Sequence, residues 1–180
     1  GDDLLAIELD IWLCSSACST IPAYAEDLFS TTFSNQLMQQ LSVPYLSIKG
    51  DQEEPRVQTI AIVREFVDPA KRNLDLILKM QEKFNARLLL VKINTPNSHM
   101  EEIELRAKME QFAELNGLTN VDFLTVEAAD KETAIKSLIE SHHVDLLTLG
   151  HLHRNGMSYF LRGDLRSDIL NHINKPIYMY

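Results

Sequence analysis

The chain has 180 residues, 45% of them hydrophobic, with 17 Lys and Arg against 26 Asp and Glu for a formal charge of −9. That length buries one full core and part of a second, and the acidic balance repels a phosphate backbone, which argues against general nucleic-acid binding. No apolar run approaches the roughly 18 residues that span a bilayer, the opening GDDLL lacks the basic and apolar regions of a signal peptide, and Cys14 and Cys18 make no disulfide framework, so a cytoplasmic protein with no membrane partner is expected.

In chain order, residues 1–50 come first and end at Gly50, followed by the polar linker DQEEPR over 51–56. An orderly alternation then begins. Val57 to Phe66 (VQTIAIVREF) is rich in β-branched residues and reads as a buried strand. Pro69 suits the first turn of a helix carrying Leu74, Ile77, Leu78 and Phe84. Arg87 to Asn94 is a second strand, and Asn97 or Ser98 is the expected cap of a helix over 100–115 that stops at Asn116-Gly117. A third strand at Val121 to Val126, a helix at Lys131 to Ser141 and a fourth strand at Val144 to Leu149 follow. The helix DLRSDILNHIN and the strand PIYMY close the series. Such alternation implies right-handed crossovers and a mainly parallel sheet covered on both faces. Ligands bind such sheets beyond the carboxyl ends of the strands, which directs attention to the loops after Phe66, Ile93 and Leu149.

The stretch from His143 to Pro176 has the skeleton of a phosphate cradle: an apolar strand ending at Gly150, a loop returning through Gly163, and a helix start. Glycine admits positive φ and lets backbone approach phosphate oxygens, and the free N–H groups of a helix start favour an anion. His153 and Asp164 do not suit that chemistry. The imidazole takes up space, and the Asp164 carboxylate can cap the helix itself, worth about 1 kcal/mol, while competing with phosphate. Arg154 and Arg162 offset this charge or are solvated loop side chains. Five of the six histidines (His142, His143, His151, His153 and His172) follow Glu140. His151-x-His153 could bind Zn²⁺ with Asp145 or Asp164, but with no cysteine nearby the expectation is polar loop residues and no metal. Cys14-x3-Cys18 is not a trusted metal spacing, and no G-x-S-x-G nucleophile elbow occurs, so no catalytic residue is assigned.

Residues 57–180 resemble a complete domain of the universal stress protein family, through the acid-ended first strand, the second strand running into Thr95-Pro96, and the G-x-x-G-x9-G-S/T loop. The resemblance implies a Rossmann-like, adenine-nucleotide-hydrolase-like α/β fold with five parallel-type strands in order 3-2-1-4-5 and helices on both faces. It also implies a site in which many members bind ATP or AMP. Glu65 stands where the family has the Asp facing ribose and adenine, one methylene longer. Ile93 matches the residue whose backbone meets the adenine edge, and Gly150 and Gly163 match loop glycines. His153 takes the second glycine position and Asp164 replaces Ser or Thr. A degenerate site with no cofactor and no enzymatic activity is therefore expected, the alternative being ATP or AMP binding with slow ATP hydrolysis.

The first segment repeats the end of the last domain. ELDIWLCSS resembles HVDLLTLGH, and LFSTTFSNQLMQQLSVPYLSI aligns without a gap on FLRGDLRSDILNHINKPIYMY, setting Phe33 on Leu165, Leu37 on Ile169, Leu41 on Ile173 and Pro44 on Pro176. No glycine lies between Gly1 and Gly50, so this copy makes no glycine-based phosphate loop. Residues 1–50 are thus a partial, degenerate repeat: either its first strands lie upstream in a longer tandem chain, which is the expectation, or a second chain covers its edge. By the resemblance, Tyr45 to Ile48 pairs antiparallel with Pro176 to Tyr180, within the chain as a pseudo-dimer or between chains as a homodimer.

Overall fold

The computed structural model describes residues 45–47, 56–67, 74–150 and 173–180. The central strand dictates the rest. All five residues of β2 (Thr59–Val63) are buried, and its apolar side chains alternate between two separate cores, as a strand covered on both faces requires. β3 (Arg87–Asn94) and β5 (Leu146–Leu149) pair with it in parallel, with Ile62 opposite Leu90 on one side and Thr148 on the other. β4 (Val121–Glu127) extends the sheet beyond β3, and β6 (Ile177–Met179) extends it beyond β5, both parallel. Counted from β2, the five parallel strands stand in the order 3-2-1-4-5. A sixth strand, β1 (Tyr45–Ser47), lies outside β6 and runs antiparallel to it.

Three described helices cover this α/β sheet. α1 (Asp75–Phe84) and α2 (Glu102–Leu115) pack Leu76, Ile77, Leu105, Met109 and Phe112 against Ile60, Ile62, Leu88 and Leu90. α3 (Lys131–His142) covers the opposite face, with Ala134, Ile135 and Leu138 on Ala61, Val63, Leu89 and Val91. Among the described residues no helix is long and apolar enough to cross a membrane.

Several sequence boundaries shift for identifiable reasons. The first strand shortens from 57–66 to 59–63, and Phe66, whose backbone is left-handed (φ 53°), cannot continue it. β5 begins at Leu146 rather than Val144, since the Asp145 carboxylate accepts hydrogen bonds from the backbone N–H groups of Gln58 (2.8 Å) and Thr59 (3.1 Å), joining the starts of two strands. Neither Asn97 nor Ser98 caps α2. The N-cap is Glu101, which makes no side-chain capping bond, and the Ser98 hydroxyl lies 3.0 Å from that of Thr95. α3 is properly capped: Asp130 accepts from the Thr133 N–H at 2.8 Å and from its hydroxyl at 2.9 Å. Ile173 and Asn174, read as the end of a helix, belong to no regular element. The remainder of that helix, the expected Pro69 helix start and all of residues 1–44 lie outside the described residues.

Two expectations follow. Phe112 is fully buried, edge-on to Phe66 with centroids 5.7 Å apart and under the Arg64 guanidinium at 4.1 Å. Phe112→Ala should therefore cost about 3–5 kcal/mol in urea unfolding, and a loss well below that would mean α2 is not clamped by this residue. Burial, with Tyr180 and Asp75 adding to it, pushes the Tyr178 phenol from its ordinary 10.0 up to about 12. The unfolded phenol ionises first, so stability should fall as pH rises from about 10 to about 12. Comparing alkaline titrations of wild type and Tyr178→Phe isolates this contribution, which the phenylalanine variant should lack.

Candidate functional site at the strand ends

Strand order reverses between β2 and β5, since the chain leaves β2 for β3 on one side and reaches β5 on the other. Open α/β sheets bind ligands in the crevice beyond the carboxyl ends at such a switch. Glu65 follows β2 there, Lys92 to Asn94 end β3, Gly150 follows β5, and α3 brings in Lys131.

Glu65 is 10% exposed and holds one lysine on each carboxylate oxygen: Lys92 Nζ at 2.8 Å and Lys131 Nζ at 2.5 Å. Lys92 is only 1% exposed. An ammonium has three protons to place, and this one places all three, on Glu65, on the Ile93 carbonyl at 2.6 Å and on the Ser98 carbonyl at 2.8 Å. Removal of a charged pair from water is repaid only when every such donor is met. Asn94 adds a second polar tie, donating from Nδ2 to Glu127 at 2.7 Å and to the Met100 carbonyl at 3.4 Å, while its buried Oδ1 has no hydrogen-bond partner among the described residues. The left-handed Phe66 beside Glu65 costs about 1–2 kcal/mol of backbone strain and drops its ring into the core against Phe112.

The expected site residues fare differently. Glu65, Ile93 and Gly150 do meet at the strand ends. Glu65, however, is already doubly paired, and the Ile93 carbonyl already accepts from Lys92. Gly150 does not use positive φ, which among the described glycines only Gly117 adopts (φ 64°). A Cβ at Gly150 would meet the Tyr180 hydroxyl at 3.6 Å, an ordinary contact, so this position requires glycine for neither reason. His153, Gly163 and Asp164 lie outside the described residues, as do Arg154, Arg162, His151 and the cysteines. Of the ligands named for zinc only Asp145 is described, and its carboxylate accepts from the Gln58 and Thr59 N–H groups. Among the described residues no cluster of three or more metal-ligating side chains forms. Lys92 and Lys131 escaped sequence reading; the one available signal was a lysine inside the otherwise apolar run LLLVKIN.

No family model and no curated protein matches the sequence. Solved structures do. A universal stress protein from Archaeoglobus fulgidus DSM 4304 superposes with a TM-score of 0.61 at 15% identity over 87% of this chain, which spans 55% of that longer protein. A universal stress protein in complex with cAMP matches with a TM-score of 0.51 at 18% identity, covering 69% of this chain and 97% of its own. The fold is that of the universal stress proteins. A further universal stress protein of that fold, from Archaeoglobus fulgidus in complex with dAMP, covers 70% of this chain and 98% of its own, with a TM-score of 0.50 and 13% identity. Within this universal stress protein fold, the strand ends of the present chain carry the Lys92–Glu65–Lys131 cluster.

Because Glu65 compensates two ammonium groups, Glu65→Gln should destabilise the protein by about 3 kcal/mol, as when a buried pair loses one partner. Lys131→Ala, which leaves Glu65 with Lys92, should cost about 1 kcal/mol. Urea midpoints give the ranking, and equal small losses would show that the cluster does not depend on Glu65.

Proposed function

We propose that this chain is a tandem-type universal stress protein that works without catalysis, as a stress-response or signalling module acting through contacts along its last strand. The observation that carries this reading is the coincidence of two independent registers. The sequence repeat equates Tyr45, Leu46 and Ser47 with Ile177, Tyr178 and Met179, while strand pairing sets Tyr45 opposite Met179, Leu46 opposite Tyr178 and Ser47 opposite Ile177. The repeat equivalents of each facing pair thus face each other as well: Tyr45 faces Met179 and their equivalents Ile177 and Ser47 also pair, while Leu46 faces its own equivalent. Such a register is what a two-fold axis between two copies of one unit would give, and it supports reading β1 and β6 as an intrachain pseudo-dimer about Leu46 and Tyr178. The match to the longer Archaeoglobus protein supports it, since 87% coverage exceeds the share of the chain after Arg56 and takes in part of the first segment.

On this reading the nucleotide site has fallen out of use. The acid and the carbonyl that the resemblance assigns to ribose and adenine are both engaged by Lys92, and the loop sequence replaces a glycine with His153 and a hydroxyl with Asp164. The second reading, ATP or AMP binding with slow hydrolysis, draws on the cAMP and dAMP complexes of proteins with this fold and on the acid retained at Glu65. Calorimetric titration with AMP, and with ATP and Mg²⁺, should give no saturable heat. Micromolar binding lost in Gly163→Val would overturn the proposal in favour of the second reading. For the association itself, wild type should be monomeric by light scattering, and Leu46→Pro, which removes a strand N–H, should expose the β6 edge and drive dimerisation. A wild-type dimer that Leu46→Pro dissociates would make the pairing interchain.

A further inference from the structure

The connection from β3 to α2, residues 95–101, is fastened from below by two side chains of β3. Lys92 Nζ donates to the Ser98 carbonyl at 2.8 Å and approaches its hydroxyl at 3.4 Å, and Asn94 Nδ2 donates to the Met100 carbonyl at 3.4 Å. Within the connection, the Ser98 N–H bonds the Thr95 carbonyl at 2.9 Å. Lys92 at the same time holds Glu65, which belongs to the neighbouring strand end. We propose that Lys92 is a charge latch: its ammonium holds the 95–101 connection closed over the carboxyl ends of β2 and β3 for as long as Glu65 supplies its counter-charge.

The physical argument is one of desolvation. At 1% exposure the ammonium has lost its water, and two neutral carbonyls do not replace an anion. If Glu65 turns to another donor, Lys92 is left buried with a net charge, and its flexible stem lets it withdraw toward solvent. Ser98 then loses its tie to Lys92, and the connection is left with the long Asn94 bond and the packing of Met100 on the core. Access to the crevice between the two strand ends is thereby coupled to what Glu65 holds, whichever ligand, if any, the crevice takes. Lys131 pairs with the same carboxylate but reaches it from α3 rather than from β3, which makes it the control.

Hydrogen exchange of the full chain tests the latch. Lys92→Met keeps the stem, removes the ammonium and leaves Glu65 paired with Lys131, so it avoids a new buried charge. Exchange at Ser98 and its loop neighbours should rise about tenfold or more while amides of β2 and β3 change little, a local rather than global opening. Lys131→Met, the control, should leave the loop as in wild type. Unchanged loop exchange in Lys92→Met, an equal rise across the whole sheet, or the same loop opening in Lys131→Met would each overturn the proposal.

Discussion

A strand buried on both faces cannot end quietly. Every residue of Thr59–Val63 is removed from water, so helices must cover both sides, the crossovers must be long, and every residue needing water or charge is displaced to the strand ends. Burial of its neighbours Leu88 to Val91 and Leu146 to Leu149 follows from the same constraint. What remains beyond the last apolar residue of each strand is a narrow zone where polar side chains from different elements are forced together.

In that zone the chain pairs its charges internally, although the buried Asn94 Oδ1 has no hydrogen-bond partner among the described residues. Glu65, one residue past the Arg64 that stacks on Phe112, has two lysines; Lys92 has three acceptors; Asn94 spends both amide hydrogens. The Glu65 carboxylate and the Lys92 ammonium thus have their partners within the fold. α2, which has no side-chain cap, follows the 95–101 connection and is seated by Leu105, Met109 and Phe112 in the core.

At the other margin of the sheet, β1 pairs antiparallel with β6, Leu46 standing opposite Tyr178. An edge strand presents unpaired backbone groups, and β1 covers those that β6 would otherwise expose. Tyr178, near the centre of that pairing, is buried and stacked near Tyr180 at 6.1 Å, so the margin also contributes to the core on the α1–α2 face.

The alternation of β-branched runs with amphipathic helices by itself determined the fold, because a two-sided core writes a two-sided pattern into local sequence. Strand β3 could be read to the residue, and the Asn116-Gly117 stop and the acid after the first strand were legible for the same local reason. The repeat of YLS on IYM was also visible without coordinates, though not the register that makes it symmetric. Only tertiary structure decided the state of the site. Glu65, Lys92 and Lys131 are far apart in sequence and on three different elements, and a lysine in an apolar strand gives no hint of where its long stem will carry its charge. Whether a retained acid is open to a ligand or already spent depends on which cations the fold delivers to it, and that is a property of packing rather than of pattern.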